Sequence, residues 1–466
     1  MVRTMARDGG AWLRGMTAVL LLAGASAATA CSSDDDGGGA DDGGDGTDDG
    51  GDGTDDGGDD GGNAMCDADN GSITLPDGFC ASVFADGLAG ARHMTVTPSG
   101  DVFVAIQNAF DGSAIGEVVA LRDTDDDGIA DVEERFGDNG GNGIAWSNDE
   151  LFFAEDDQIL AYDMPDGELL PAAKPEVIVS GLPFDGDHIN KTIVIDDAGE
   201  MFVNIGSASN ACQEVNREVE SPGLDPCPEL EVRAGVWSFP TDVADQLPED
   251  GVLVGEGMRN MVALALEPGS GELFGVQNGR DQLFDNWPAL YDAVDEIELP
   301  SEELFLIDGV SEYGWPYCYH DPFQDLKVLA PEYGGDGVVQ DLCADVAVPD
   351  YFFPAHWAPL GMLFYTGDMF PEAYLNGAFI AFHGSRFEPE ATGDLPGYNV
   401  VFLPFDGGLP AKGDFEVFAD DFAGDTRPLP DEAEHRPVGL AQGPDGALFI
   451  SDDWSGRIWR VIYTGE

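Results

Sequence analysis

The most specific chemical signal in the chain is the run Asp123-Thr-Asp-Asp-Asp-Gly-Ile-Ala-Asp-Val-Glu-Glu134. It sets carboxylates at its positions 1, 3, 5, 9 and 12 and glycine at position 6. Alternate side chains at this spacing wrap a hard divalent cation, and glycine permits the sharp turn. The ligands expected are Asp123, Asp125, Asp127, the carbonyl of Ile129, Asp131 and Glu134. No helical pattern precedes Asp123, so a structural calcium loop is expected rather than a paired-helix EF-hand. The alternative is an acidic surface turn in a chain rich in aspartate.

Six histidines and 19 lysines plus arginines stand against 91 carboxylates, so every base and cation is informative. His188 lies in Asp185-Gly-Asp-His-Ile-Asn-Lys191. A loop imidazole among polar residues suits a general base, or equally a surface or strand-capping role. Arg259, in Gly257-Met-Arg-Asn260, suits clamping a carboxylate or polarising a carbonyl, or an internal salt bridge. His356, His383, Arg386 and Arg436 each stand at an end of an apolar hairpin. Basic groups at equivalent ends of several hairpins point to an anionic ligand.

Those hairpins are the elements that must position the chemistry. One phrase, an apolar strand, a tight turn and a second apolar strand, occurs six times. The copies are 93–104, 143–153, 192–203, 263–274, a stretched one from 361–365 to 377–381, and 439–450. Strands apolar on both faces, repeated in short antiparallel hairpins, predict an all-β fold, a six-bladed β-propeller with one copy per blade. A β-sandwich does not repeat one hairpin in this way. The wider spacing in the middle places insertions on the third to fifth blades, where a site is expected.

Residues 1–30 read as an export signal: Arg3, Arg7 and Arg14, then an apolar run from Met16 to Ala30 that is too short to span a bilayer. Small residues before Cys31 fit lipidation of that cysteine, hence an anchor in the bacterial cell envelope; simple cleavage is the alternative. Residues 31–63, nearly all Asp and Gly, form a solvated tether, and 64–466 form the propeller. The tether holds only 13 of the 91 acidic residues, so the net charge of −72 belongs mainly to the folded part and disfavours nucleic acid. Six cysteines remain after Cys31 and fall as sequential pairs, 66 with 80, 212 with 227 and 318 with 343, expected as disulfides in an oxidising compartment. CxxC metal spacing and the CxxCH haem motif are both absent.

An ordered set of short motifs then gives a resemblance. Gly186-Asp-His-Ile-Asn-Lys191, Gly206-Ser-Ala-Ser-Asn210, Gly257-Met-Arg-Asn260, Tyr313-Gly-Trp-Pro316, Ala358-Pro-Leu-Gly361, Phe364-Tyr-Thr-Gly367, His383-Gly-Ser385 and Arg436-Pro-Val-Gly439 follow one another in this order. Together they resemble the pyrroloquinoline quinone (PQQ)-dependent glucose/sorbosone dehydrogenases, most closely the L-sorbosone dehydrogenase-like branch. The resemblance implies oxidation of a sugar or related alcohol or aldehyde, with PQQ and calcium as cofactors and electrons passing to an external acceptor. By position it implies His188 as the base and Arg259 beside the quinone carbonyl. It also implies Asn260, Asn278, Gly279 and Glu302 as cofactor contacts, with His356, His383, Arg386 and Arg436 near the cofactor carboxylates. Gly279 would offer a backbone oxygen to a bridging calcium.

Three positions depart from the pattern. Lys191 stands where relatives often have Arg, and Arg280 where the glucose enzymes have Pro. Arg386-Phe-Glu388 stands where relatives continue Trp-Asn-Arg. The carboxylate clamp is therefore the least matched part. Two other functions fit a propeller: a cofactor-free binding scaffold, and a metal-dependent lactonase-type hydrolase drawing on Asn190, Asn260 and Asn278.

Overall fold

The computed structural model describes residues 66–109, 112–387, 397–424 and 432–465. The expectations for the signal, Cys31 and the tether lie outside the described residues.

Six four-stranded antiparallel sheets make up the fold, the six-bladed propeller expected from the repeats. Their inner strands are Ala91–Val96, Gly141–Ser147, Ile193–Ile195, Ala263–Leu266, Pro359–Phe364 and Pro437–Gln442. All six line one central cavity of about 310 Å³, so they ring a common axis. The apolar character on both strand faces has a direct cause. Each sheet is covered by a neighbour on either side, and a separate apolar core fills every gap. Phe103 and Val118 of blade one meet Ile144 and Phe153 of blade two. Equivalent cores join each following pair, ending with Val104 and Ala91 against Phe449 and Ile458 between blades six and one.

The ring closes on its own first strand. Phe79–Ala85 pairs antiparallel with Ile458–Tyr463 and supplies the outer strand of blade six, with Phe79 opposite Tyr463. This pairing leaves no open side through which blades one and six could part. All three disulfides form in the sequential order expected: Cys66–Cys80, Cys212–Cys227 and Cys318–Cys343. The first staples the closing strand, and the other two close insertions of blades three and four. Blade four also carries two short helices, Leu283–Asn286 and Ala293–Glu298, between its second and third strands, and the hairpin Cys318–Asp321 with Leu326–Leu329 between its third and fourth.

Glycine recurs in the inner strands because neighbouring backbones meet there. A Cβ on Gly361 would lie 2.2 Å from the Val438 carbonyl oxygen, and one on Gly439 would lie 2.4 Å from that of Arg92. Gly143 faces the Lys191 carbonyl oxygen in the same way. These contacts are with rigid backbone, which cannot yield as a side-chain tip can. Gly439→Ala is therefore expected to destabilise the propeller by about 1–3 kcal/mol, as overpacking does. Denaturant unfolding would show it as a lower midpoint at unchanged slope; an unchanged midpoint would show that the inner strands can spread.

Candidate active site

The loops entering the inner strands, and those leaving the second strands, emerge at one end of the ring. There they enclose a cavity of about 490 Å³. Blade three brings His188 from the loop before its inner strand, and Arg217 from the insertion closed by Cys212–Cys227. Blade four brings Arg259 and Asn260 before its inner strand, Asn278, Gly279 and Asp281 after its second strand, and Glu302 at the start of its third. His356 precedes blade five, Arg386 follows its second strand, and Arg436 precedes blade six. Four of the chain's 19 basic side chains thus gather at one cavity.

His188 is the best-defined base. Its Nδ1 lies 2.9 Å from both the carbonyl oxygen and the hydroxyl of Ser207. The Ser207 hydroxyl donates to the Ser209 carbonyl, so both Ser207 atoms accept from Nδ1–H. The proton sits on Nδ1 and leaves Nε2 basic. Burial, then the charge of Arg259, pushes the imidazole down to about 3. His188 is therefore neutral at ordinary pH, as a proton acceptor must be. Gly206 packs beneath it: a Cβ there would sit 2.6 Å from His188 Cβ and 2.9 Å from Asn260 Oδ1. That Asn260 oxygen is buried and accepts no hydrogen bond. A buried polar atom without a partner is uncommon, and one beside a ligand cavity suits a ligand donor.

The arginines do not point into empty space. The Asp281 carboxylate lies among them, 3.3 Å from Arg259 Nη2, 3.3 Å from Arg217 Nη1, 3.6 Å from His356 Nδ1 and 3.8 Å from Arg386 Nε. Burial raises a carboxyl, but here the hydrogen bond from His356 and the charges of Arg259 and Arg386 override it and hold Asp281 well below the usual range. Arg386 also pairs with Glu296 at 3.0 Å. Glu302 serves the backbone, accepting from the Gly279 and Ala358 amides at 2.6 and 3.0 Å. Burial pushes its carboxyl up to about 7. Asn278 is held by its side-chain bond to the Pro359 carbonyl at 2.9 Å.

His383 is a correction. Its imidazole does not line the cavity, because Asp453 binds Nε2 at 2.7 Å and holds it in a network with Arg92. Only its carbonyl contributes, accepting from Arg436 Nε at 3.0 Å. Sequence reasoning missed Arg217, Asp281 and Asp187, which pairs with Arg217 at 2.9 Å. Rarity could have flagged Arg217, since basic residues are few, but Asp281 is one carboxylate among 91.

The acidic loop stands apart, beside the closing strand. Carboxylate oxygens of Asp123, Asp125 and Asp131 lie within 4.8 Å of one another. Asp123 accepts the Gly128 amide at 2.8 Å, and Asp131 accepts both the Thr124 amide and hydroxyl. Crowding by Asp127 and Asp131 raises the Asp125 carboxyl. The loop docks through Ser82, whose hydroxyl donates to the Gly128 carbonyl, and through the Ala130 amide, which donates to the Phe84 carbonyl. Two expected ligands are placed otherwise. Asp127 caps the Ile129 amide, and Glu134 lies in the strand Val132–Phe136 opposite Ala120, which carries it out of the loop.

A larger cleft of about 890 Å³ lies between blades four and five, walled by aromatic residues including Phe352, Trp357 and Phe415. Its lining has no histidine, lysine or arginine, so it offers neither the base nor the cations of the axial cavity.

The six-bladed propeller thus sets a neutral histidine, an arginine cluster and an unsatisfied amide oxygen over its axis. The chain belongs to the TrAA12-like family, whose sequence profile matches residues 73–464. It is 28% identical over 306 residues to a pyrroloquinoline quinone-dependent sugar dehydrogenase of Hypocrea jecorina, covering 60% of this chain and 64% of that one. A protein of Borreliella burgdorferi is 29% identical over 214 residues; this chain spans only 48% of its length, so both curated relatives are matched over less than two thirds. Among solved structures, the Trichoderma reesei enzyme of carbohydrate-active family AA12 superposes with a TM-score of 0.67 at 20% identity, over 84% of this chain and 98% of that one. The PQQ domain of Coprinopsis cinerea pyranose dehydrogenase, in its holo form, gives 0.66 at 19%, over 84% and 97%. At this identity the superpositions establish the fold.

Because the Arg259 charge helps keep His188 unprotonated, Arg259→Met is expected to raise the His188 titration midpoint. An NMR titration of the imidazole ring would register it. An unchanged midpoint would assign the depression to burial alone.

Proposed function

We propose that this chain is a PQQ- and calcium-dependent dehydrogenase that oxidises a sugar, or a related alcohol or aldehyde, and passes the electrons to an external acceptor. The observation that carries this reading is the meeting, in one cavity, of a neutral half-buried imidazole, a buried guanidinium and an amide oxygen without a partner: His188, Arg259 and Asn260.

The residues fit the cofactor. Arg217, Arg259, Arg386 and Arg436 supply cationic donors suited to a tricarboxylate, and the cavity volume suits a compact polycyclic ligand. The backbone at Asn278 and Gly279, strapped down by Glu302, would offer carbonyl oxygen to a calcium ion, a hard cation that prefers such ligands. PQQ, when bound, supplies the two-electron acceptor for the substrate's hydride. His188 receives the hydroxyl proton at Nε2, while Nδ1 stays anchored on Ser207. Arg259 stabilises negative charge that develops beside it, and its burial strengthens that interaction. The Hypocrea sugar dehydrogenase and the Coprinopsis pyranose dehydrogenase support a sugar substrate. An envelope anchor through Cys31 would place the reaction outside the cytoplasm. The hydrolase alternative would have to draw on the amides Asn190, Asn260 and Asn278 rather than on a carboxylate cluster. Among the described residues, His, Cys, Asp and Glu side chains gather to metal-binding distance only at Asp123, Asp125 and Asp131, in the acidic loop and not over the axis.

Titration of the purified protein with PQQ and calcium is expected to give saturable binding that is lost on chelation. His188→Ala should keep that binding yet lower dye-linked sugar oxidation by about 10²–10⁴-fold, the usual contribution of a positioned base. Absence of saturable PQQ binding by a folded protein would remove the reading.

We also propose that the acidic loop takes a second, structural calcium on Asp123, Asp125 and Asp131. Calcium added without PQQ should then raise the thermal midpoint of the wild type, and that rise should shrink in Asp123→Ala with Asp125→Ala while PQQ binding persists. An equal rise in the variant would make the loop an acidic turn.

A further inference from the structure

We infer that Asn210 is the positioning residue that assembles the axial cavity, setting Arg259 and Asp281 together through one buried side chain. The inference rests on the reading that those two residues belong to a ligand site.

Asn210 is fully buried and does not line the cavity. Its polar atoms are nevertheless spent on residues that do. Its Nδ2 donates to the Asp281 carbonyl at 2.9 Å, and its Oδ1 accepts the Asp281 amide at 2.9 Å. This closed pair of bonds makes the side chain imitate a neighbouring strand and fixes the Asp281 backbone on both of its polar groups. The same Oδ1 accepts from Arg259 Nη2 at 3.1 Å, and the Asn210 backbone carbonyl accepts from Arg259 Nε at 3.2 Å. Arg259 is thus gripped on two nitrogens by one residue. Its other contacts, to the Asn278 carbonyl and the Asp281 carboxylate, are longer, at 3.4 and 3.3 Å.

The chemistry selects asparagine. The position requires an acceptor facing two donors and, a bond away, a donor facing a carbonyl. Only a primary amide offers both on so short a stem. A flipped amide would set its NH₂ against the guanidinium and the Asp281 N–H. Aspartate would set a carboxylate oxygen against the Asp281 carbonyl. Serine has one oxygen and cannot span both contacts. Glutamine adds a methylene in a filled site.

Asn210 is itself held by its surroundings. Its amide donates to Asn216 Oδ1 at 3.0 Å, its carbonyl also accepts from Trp315 Nε1 at 3.0 Å, and it stands two residues before the disulfide-bonded Cys212. Asn216 in turn donates to the Asp187 carboxylate, next to His188. The insertion of blade three therefore reaches the base, the arginine and the carboxylate through one asparagine pair.

The test compares Asn210→Ala, Arg259→Met and the double variant. On the apo-protein, Asn210→Ala is expected to raise the His188 titration midpoint in the same direction as Arg259→Met, because a released guanidinium no longer holds its charge beside the imidazole. The double variant should move it no further than Arg259→Met alone, which a merely structural residue would not produce. On the protein loaded with PQQ and calcium, kcat should fall by at least about tenfold, the scale of one buried hydrogen bond to a charged group. If Asn210→Ala does not fold, Asn210→Ser enters the same cycle, and the Asp281 amide, freed from Oδ1, should exchange its hydrogen faster. A folded variant with wild-type His188 midpoint, or effects additive with Arg259→Met, would overturn the inference. The apo-protein titration reads Asn210 even if no PQQ binds, so failure of the dehydrogenase reading is separable from failure of this one.

Discussion

Everything over the axis depends on one carboxylate among cations. Asp281 is approached by Arg217, Arg259, His356 and Arg386, which arrive from separate segments of three blades. Without it, three guanidiniums would share a partly buried space and repel one another at a heavy desolvation cost. With it, they converge while keeping distances longer than a tight ion pair. The same carboxylate moderates how attractive the cavity is to an anion, so any acidic ligand meets a partly neutralised nest rather than bare positive charge. The nest is a local inversion of sign in a chain of net charge −72.

The scaffold supplies the rigidity that this convergence requires. Every blade is packed on both sides, and the inner strands touch through backbone at Gly361 and Gly439. The loop ends are therefore fixed points, and only the insertions can adjust. Those insertions are in turn stapled by Cys212–Cys227 and Cys318–Cys343 and tied together at Glu332, which accepts from Gln213 of blade three and forms a buried bidentate pair with Arg280 of blade four. Arg280 stands between Gly279 and Asp281, so the residue that departs from the glucose enzymes' proline does a related job. It fixes the backbone by an ion pair where proline would fix it by its ring.

The fold was legible in the sequence because it is written in repetition. Each inner hairpin carries its own apolar strands and turn, and the cysteines lie near their partners along the chain. His188, Arg259 and Asn260 were legible because their motifs sit beside those hairpins, which place them at one end of the ring. Asp281 and Arg217 were not, since their roles come from insertions whose path no local pattern encodes. His383 misled for a related reason: its position at a hairpin end is right, but the neighbouring Asp453 decides where the ring turns. The acidic loop shows the same limit. Its spacing was readable, but the strand that captures Glu134 is a pairing choice made against Ala120.

Ring closure has a consequence for the order of events in folding. Phe79–Ala85 emerges among the first folded residues from the ribosome, yet its partner Ile458–Tyr463 is nearly the last. Blades one to five can each gather their own strands as they appear. Blade six cannot, and the gap between it and blade one stays wet until the final strand arrives. Such distant pairing is slow to form, so completion of the ring is a late event separated from the assembly of the other blades. The axial cavity, whose walls come from blades three to six, matures only at that last step.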